Sequence, residues 1–284
     1  MNPEPLRLAC DAMGTRFELV LPALSERSES KRDLRAAGEA ALEEIGRWHQ
    51  LLNRFAPDSL VSHINRTAAF RPVRLERDTF ALFRTAVEAW RASQGAFDIT
   101  VATLMADNGF ADSSVPARGG RIGSDALVLD ERDWTIRFNA EGTSLDLGGI
   151  AKGHALDCAN AILRDAGVTS ALLHGGTSSV IAIGTPPDDS GWRVAIGSAV
   201  DAPVVMIRDE ALSVSDAASQ TSLTGHHHIV DPLLQLPAQD RGAVAVTGPS
   251  AAVAEAWSTA LVVLGRVPLA FPAGYQCVGH LVSA

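Results

Sequence analysis

The sequence predicts an α+β fold in which mixed or antiparallel sheets pack against helices. Apolar residues recur at helical spacing in several well-separated segments. Short apolar runs bounded by glycine and proline, which are typical of strands, lie between these segments. The two patterns do not alternate strictly, as they would in a doubly wound parallel sheet. At 284 residues, the chain fits a single domain over 1–284, and two fused lobes are the other arrangement of this size.

The N-terminal half is predicted to hold one interrupted strand followed by helices. A strand over 6–21 is interrupted by the turn-forming segment Met13-Gly14-Thr15. Apolar residues at helical spacing predict a helix over 31–52 and a second over 77–93, which a glycine ends. Between them, 59–65 is expected to form a short helical turn or a loop.

Short strands dominate the predicted C-terminal half. They are expected at 126–129, 134–138, 145–147, 168–174, 180–184, 192–196, 204–207, 227–230 and 244–246. Helices are predicted over 153–166 and 250–264, and Gly265 stops the second. The glycine- and serine-rich stretch 111–125 is predicted to be a loop that separates the two lobes, if there are two. The residues after Gly265 suggest only an irregular tail.

Composition excludes several classes of protein. The net charge of −9 argues against nucleic-acid binding, which needs a basic surface. No apolar run reaches the roughly 18 residues of a membrane span. The first residues lack the apolar core of a signal peptide, so a cytoplasmic location is expected. The three cysteines have no zinc-binding spacing and are expected to be reduced.

The densest chemical signal is the glycine-rich segment Leu145 to Gly153, which joins a predicted strand to a predicted helix. Glycine lets a ligand approach the main chain, and a helix N-terminus offers free N–H groups to a phosphate. Lys152 would add positive charge, and Asp146 could accept hydrogen bonds from a ligand. The spacing matches neither a Walker loop nor the G-x-G-x-x-G fingerprint. A plain strand-to-helix turn is therefore the alternative.

A carboxylate and a hydroxyl share one face of the last predicted helix. Glu255 and Thr259 are four residues apart, so their side chains are neighbours on a helix. This pair of oxygen ligands suits magnesium, which often also holds substrate phosphates. The alternative is a surface glutamate beside a threonine that bonds to its own helix.

Two further segments carry titratable groups. His226, His227 and His228 are consecutive, and in a strand they cannot all face one ion. One of them could accept a proton near neutral pH. Asp98 follows a helix end and either contacts a ligand or caps the next turn.

Taken in order, these pieces resemble the ApbE-type family, the FAD:protein FMN transferases. The resemblance runs from Met13 to about Gly265, and its motifs are specific as an ordered set. The matching segments are Met13-Gly14-Thr15, NRFAPDSLVSHIN from Asn53, GAFDITV from Gly95, LDLGGIAKG from Leu145 with Asp157 beyond it, HGGTSSVIAIG from His174, HIVDP from His228, and AEAWSTALVVLG from Ala254.

The resemblance implies an ApbE-like, T-fold-like enzyme that binds FAD and one or two Mg²⁺ ions. A Ser or Thr hydroxyl of an acceptor flavoprotein would attack the FMN phosphate, and AMP would leave. The implied FAD contacts are Met13, Phe55, Ala96, Phe97, Asp98, Asp146, Lys152 and Ile229. The implied magnesium ligands are the Gly149 carbonyl, Glu255, Thr259 and Ser258. His228 or His227 resembles the family's catalytic histidine.

The chain departs from the family pattern at three points. The family usually has Asp where Glu255 stands, which is expected to weaken metal binding or to set the helix further back. The segment Ser213 to Gln220 lacks the usual Ser-Gly and arginine, and Leu233 to Pro237 replaces a Thr-Gly turn. Both changes are expected to alter the acceptor groove. Hydrolysis of FAD to FMN and AMP, and FAD binding without catalysis, are therefore the alternative functions.

Overall fold

A computed structural model describes residues 4–22, 28–110, 120–188, 190–196, 202–219 and 227–278. Its helices are α1 Ser28–Leu52, α2 Leu60–Thr67, α3 Arg77–Ala92, α4 Ala102–Asp107, α5 Ala151–Asp165 and α6 Ala251–Leu264. Its strands are β1 Leu6–Ala12, β2 Thr15–Leu21, β3 Val73–Arg74, β4 Leu127–Asp130, β5 Thr135–Phe138, β6 Ala171–Gly175, β7 Ser179–Ile183, β8 Trp192–Ala195, β9 Val204–Ile207, β10 Ala211–Ser215, β11 Val230–Asp231, β12 Leu236–Pro237, β13 Val244–Gly248 and β14 Gln276–Val278.

A seven-stranded sheet in the order β1-β2-β6-β7-β10-β13-β14 is the largest unit of the fold. All of its neighbouring strands are antiparallel. Smaller antiparallel sheets are formed by β3-β5-β4, by β8-β9 and by β11-β12. The α+β prediction, with antiparallel sheets and packed helices, is confirmed.

The two faces of the large sheet are covered differently. Helices α1, α5 and α6 pack on one face and form the main core with it. The β8-β9 hairpin covers part of the other face. Strand β10 shows the alternation expected of a strand: Leu212 and Val214 face the hairpin core, while Ala211 faces the helices. Ser213 and Ser215 share the helix-facing side with Ala211.

Helices α5 and α6 meet at their N-terminal ends, and each supplies a carboxylate to the other. Asp157 of α5 accepts hydrogen bonds from Ser250 Oγ at 2.7 Å, from the Ala251 amide at 2.7 Å and from the Ala252 amide at 3.0 Å. Glu255 of α6 accepts a hydrogen bond from the Gly153 amide at 2.6 Å. The first amides of a helix have no partner within the helix, so these bonds satisfy both N-termini.

The close approach of the two helices requires Gly153. A methyl group at this position would overlap the Ala251 carbonyl and the Ala252 amide. Backbone atoms cannot move aside as a flexible side chain does. Gly153 therefore allows the two helices to pack closely, while the glycines before it form the turn that precedes α5.

Several sequence predictions need correction. Residues 145–147 are extended but form no strand, because the Leu145 amide and carbonyl bond to the Asn65 side chain instead of a neighbouring strand. The strand predicted over 227–230 is reduced to β11. The predicted irregular tail contains β14, which pairs with β13 at the sheet edge. Of the predicted loop 111–125, residues 111–119 lie outside the described residues.

Strand β10 is the main element that the sequence analysis missed. Its sequence, ALSVS, has serines at two of the three helix-facing positions, so it lacks the apolar face on which strands are recognised. It nevertheless lies in the interior of the sheet, between β7 and β13. The buried hydroxyls of Ser213 and Ser215 form hydrogen bonds with Ser258 of α6.

Two other expectations can be compared with the structure. The three cysteines, Cys10, Cys158 and Cys277, are free and half-buried. In the described ranges, no helix combines the length and the apolar character that crossing a membrane would need.

We predict that Gly153→Ala lowers the free energy of unfolding by about 2 kcal/mol, because the added methyl overpacks the α5-α6 contact. Urea denaturation measures this change. Gly46→Ala is the matched control: Gly46 lies inside α1 with open space around it, so alanine there should stabilise the protein by roughly 0.5–1 kcal/mol. Equal stability of the two variants would show that the helices do not meet at Gly153.

We predict a contribution of His154 to the acid sensitivity of folding. Burial, the largest effect, lowers the pKa of His154 from its usual 6.5 to about 4, with Arg47 acting in the same direction and Asp78 and Glu44 opposing it. The folded state therefore keeps this histidine neutral while the unfolded chain protonates it below about pH 6.5. The stabilising contribution is complete above that pH and is lost as the pH falls towards 4.

The measurement is the free energy of unfolding of wild type and His154→Gln between pH 7 and pH 4. The difference between them should shrink as the pH falls, because glutamine does not titrate. His63→Gln, at an exposed position on α2, is the control and should change the free energy of unfolding at pH 7 by less than about 0.5 kcal/mol. Parallel pH profiles for wild type and His154→Gln would contradict the prediction.

Candidate functional site

The glycine turn that precedes α5 lies against α6. A side-chain carbon built on Gly149 would lie 3.5 Å from Thr259 Oγ1 and 3.2 Å from the Phe97 ring. Three segments that are far apart in the sequence therefore converge at one point. The site residues predicted from the sequence at these positions are brought together.

The carboxylate of Glu255 lies at the same place and is already paired within the protein. It is almost fully buried and forms an ion pair with the Lys152 ammonium. Its second oxygen accepts the Gly153 amide hydrogen. A buried carboxylate needs such partners, since an unpaired one would lose its hydration without compensation.

The Gly153 amide donates to Glu255 and therefore not to the Gly149 carbonyl. In a helix that began one turn earlier, the Gly153 amide would donate to the Gly149 carbonyl, four residues before it. Among the described residues, no N–H or O–H donates to that carbonyl. The Gly149 oxygen is therefore an acceptor without a donor among the described residues, in a turn that lies against Thr259.

Four hydroxyl groups cluster where β10 faces α6. Ser258 Oγ lies 2.8 Å from Ser215 Oγ and 3.2 Å from Ser213 Oγ, and it donates to the Glu255 carbonyl at 3.0 Å. Ser215 Oγ also lies 3.4 Å from Thr259 Oγ1. Ser258 is fully buried and uses its whole hydrogen-bonding capacity in these contacts. Thr259 is half-buried and keeps an open side.

Asp146 is held by an arginine that the sequence analysis did not single out. Arg54 Nε lies 2.8 Å from Asp146 Oδ2, and only 5% of the Arg54 side chain is exposed. The other carboxylate oxygen accepts the Gly148 amide hydrogen at 2.7 Å. The Arg54 guanidinium also stacks on the Phe55 ring at 4.2 Å, while Phe55 itself remains 58% exposed. Asp146 and Phe55 thus belong to one cluster.

Asp98 organises the segment that carries Phe97. Its Oδ1 accepts hydrogen bonds from the Thr100 amide at 2.8 Å, from the Thr100 hydroxyl at 2.7 Å and from the Ser124 hydroxyl at 2.7 Å. Its Oδ2 accepts the Ser124 amide hydrogen at 3.0 Å. These bonds join the turn after α3 to the residues before β4. Ala96 and Phe97 are buried beside it.

The histidine segment leads into the β11-β12 hairpin. His227 and His228 are half-buried, and Ile229 is buried. The Nδ1 atom of His227 is enclosed and makes no hydrogen bond to any described residue. The hairpin approaches the Asp98 segment: Leu233 reaches within 3.1 Å of the side-chain position of Gly95, and Val230 packs on Val101 and Leu104. His226 lies outside the described residues.

Met13 lies in the turn between β1 and β2. Its backbone has a φ of 50°, in the left-handed region, and its amide donates to His49 Nδ1 at 3.1 Å. A shallow groove surrounds this turn and is lined by residues 11–16 and by His49.

The sequence analysis missed two residues that hold the candidate site, although both lie in a motif that it recognised. Arg54 and Asn65 both lie in the NRFAPDSLVSHIN motif, to which no role was given residue by residue. Asn65 accepts the Leu145 amide hydrogen at 2.8 Å and donates to the Leu145 carbonyl at 3.2 Å. Both residues thus fix the glycine-rich segment from outside. The serines of β10 gave no sequence signal of their own.

The residues present fit a magnesium ion in part. The Gly149 carbonyl accepts no hydrogen bond from a described residue, and the Thr259 hydroxyl keeps lone pairs available. Both could therefore serve as oxygen ligands, the kind that magnesium prefers. Glu255 supplies negative charge beside them, although Lys152 and Gly153 hold it in this state. Among the residues described, no group of three or more His, Cys, Asp and Glu side chains could hold a metal ion. A cation here would therefore depend on main-chain and hydroxyl oxygens, with phosphate and water completing its shell.

Known proteins match this chain over most of its length. A family model described as the ApbE family matches residues 13–270. A FAD:protein FMN transferase of Treponema pallidum (strain Nichols) is 29% identical over an alignment of 286 positions, gaps included, that covers 88% of this chain and 78% of that protein. A FAD:protein FMN transferase of Klebsiella pneumoniae (strain 342) is 28% identical over an alignment of 240 positions that covers 78% of this chain and 73% of that protein. The crystal structure of the ApbE protein of Thermotoga maritima has a TM-score of 0.80 at 25% identity, covering 92% and 87%.

Proposed function

We propose, from the premise that the chain belongs to the ApbE family, that it is a magnesium-dependent FAD:protein FMN transferase. In the proposed reaction a Ser or Thr hydroxyl oxygen of an acceptor protein attacks the FMN phosphorus of FAD. A new P–O bond forms, the bond to the AMP phosphate breaks, and AMP leaves. The names of the relatives, FAD:protein FMN transferase, support the choice of donor and product.

One observation carries the proposal. Gly149 and Thr259 lie side by side, although 109 residues separate them in the sequence. Magnesium held by the Gly149 carbonyl and the Thr259 hydroxyl would neutralise the diphosphate charge as the bond breaks. Glu255 would contribute its charge at this position. Ser258 would act through its neighbours, because its hydroxyl has no free lone pair.

Lys152 and Glu255 suit a site that receives a diphosphate. Without substrate, the ammonium and the carboxylate neutralise each other. A bound phosphate would attract the Lys152 ammonium, and the carboxylate would then face the cation. The protein groups would in this way exchange partners when the substrate arrives, so neither charge is left unpaired.

The remaining predicted FAD contacts would bind and orient the rest of the substrate. Phe97 lines the Gly149 turn, and the exposed ring of Phe55 offers a surface on which a flat ring system can stack. Asp146 would accept hydrogen bonds from the ligand while its ion pair with Arg54 holds it in place. Ala96, Asp98 and Ile229 would shape the walls of the binding site. Met13 would contact a part of FAD further from the diphosphate.

His228, or its neighbour His227, is proposed as the group that takes the proton of the acceptor hydroxyl. A half-buried histidine suits this task, because an imidazole can accept a proton near neutral pH. The β11-β12 hairpin that follows carries exposed Leu233, Leu234 and Leu236 at the edge of the same region. The acceptor protein would approach from this side.

The activity is tested by incubating the purified protein with FAD, with and without magnesium, and with a candidate acceptor protein. The proposal expects magnesium-dependent AMP release together with FMN covalently bound to the acceptor. AMP with only free FMN would favour hydrolysis. FAD binding without AMP at any magnesium concentration would favour a binding protein. Both outcomes contradict the transferase proposal.

We predict that shortening Glu255 lowers the magnesium requirement. Glu255→Asp removes one methylene, so the carboxylate can no longer reach both Lys152 and the Gly153 amide, and it becomes available to the cation. The measurement is AMP release as a function of magnesium concentration. Glu255→Gln is the matched control: it keeps the length and the Gly153 hydrogen bond but loses the charge, and it should raise the requirement. A loss of activity in Glu255→Asp would mean that the site depends on the longer side chain.

We predict that His228→Ala reduces FMN transfer to the acceptor by about 100-fold, which is the lower end of the contribution of a general base. FAD binding, followed by the quenching of flavin fluorescence, should stay unchanged. His227→Ala is measured beside it to decide between the neighbours. A full transfer rate in both variants would remove the histidines from the mechanism.

A further inference from the structure

The buried hydroxyl cluster of β10 and α6 has a defined direction of hydrogen bonding. Ser258 has one hydroxyl hydrogen, and a carbonyl can only accept, so that hydrogen is donated to the Glu255 carbonyl. Ser258 must therefore accept in its other two contacts. Ser213 and Ser215 are consequently the donors at 3.2 Å and 2.8 Å.

The same reasoning fixes the direction of the last contact. Ser215 has already given its hydrogen to Ser258, so between Ser215 and Thr259 the threonine is the donor, at 3.4 Å. The hydrogen bonds then run from Thr259 through Ser215 and Ser258 to the Glu255 carbonyl. The Thr259 hydrogen points towards β10, and both lone pairs of Thr259 Oγ1 are left for other partners.

We propose that Ser215 is a positioning residue for the cation site: by accepting the Thr259 hydrogen, it leaves both Thr259 lone pairs free for a cation beside the Gly149 turn. This inference rests on the proposed function, because it needs a cation between Gly149 and Thr259. A hydroxyl bound to a cation must direct its hydrogen away from the ion, and groups behind a ligand commonly orient it in this way. Ser215 supplies the acceptor that makes this orientation favourable.

The burial of the cluster supports a role beyond filling space. Ser213, Ser215 and Ser258 are all buried, at an interior position where an apolar side chain is the ordinary choice. A buried hydroxyl stabilises the fold only when it is paired, and three neighbouring ones must be satisfied together. The arrangement is therefore consistent with selection for the orientation of Thr259.

Ser213 provides a matched control within the same strand. It lies two residues before Ser215, faces the same helix and also donates to Ser258. Among the described residues, it makes no hydrogen bond to Thr259. Removing either hydroxyl costs Ser258 one donor, but only the loss of Ser215 removes the acceptor of the Thr259 hydrogen. The two alanine variants therefore separate positioning from general stability.

The experiment titrates the full chain, saturated with FAD and without an acceptor protein, with Mn²⁺ and follows free Mn²⁺ by electron paramagnetic resonance. Manganese prefers the same oxygen ligands as magnesium. Ser215→Ala should weaken Mn²⁺ binding by roughly 10-fold, the lower end of the effect of residues that orient a metal ligand. Ser213→Ala should keep the wild-type affinity, and Ser215→Thr, which keeps a hydroxyl, should restore it.

Two further measurements make the result specific. Thermal unfolding should show similar losses for Ser215→Ala and Ser213→Ala, since each removes one buried hydrogen bond. In a Thr259→Val background, which lacks the ligand, Ser215→Ala should have no additional effect on Mn²⁺ binding.

The outcomes distinguish this inference from the function on which it rests. Wild type that binds no Mn²⁺ and releases no AMP from FAD refutes the cation site itself. Wild type that binds Mn²⁺, with Ser215→Ala and Ser213→Ala equal in affinity, refutes only the positioning role of Ser215. An additional loss from Ser215→Ala in the Thr259→Val background also overturns it, because Ser215 would then act by another route.

Discussion

The structure depends on the reciprocal pairing of two helix N-termini. Asp157 of α5 accepts hydrogen bonds from the first residues of α6, and Glu255 of α6 accepts one from the first turn of α5. Each carboxylate lies where the partial positive charge of a helix end favours it. Gly153 allows the backbones to approach closely enough for both pairings. Removing this contact would separate the glycine turn from α6, and the candidate site exists only where the two meet.

The pairing also determines which oxygens remain free. Because Glu255 takes the Gly153 amide, the Gly149 carbonyl has no internal donor among the residues described. Because Ser258 is occupied by its own helix and by β10, Thr259 is the hydroxyl of α6 that keeps open lone pairs. The helix contact that stabilises the fold thus leaves a carbonyl without a donor in the turn that lies against Thr259. On this account a substrate diphosphate, with a divalent cation, completes what the protein leaves unpaired.

Much of this could be predicted from the sequence, and the exceptions have physical reasons. The helices α1, α3, α5 and α6 follow from apolar periodicity and glycine stops, and the ordered motifs indicated which segments would converge. Strand β10 could not be recognised, because serines replace the apolar residues of its buried face. The pairing of Glu255 with Lys152 joins residues 103 positions apart, and no local pattern predicts such a contact. The roles of Arg54 and Asn65 likewise arise from where the turn 145–148 lies in three dimensions.

The most direct test of this account is the anomalous scattering of manganese in crystals of the protein grown with Mn²⁺ and FAD. The account predicts one manganese peak bonded to both the Gly149 carbonyl oxygen and Thr259 Oγ1, with a phosphate oxygen of FAD in the same shell. A manganese ion bound elsewhere, with Gly149 and Thr259 outside its coordination sphere, would contradict it.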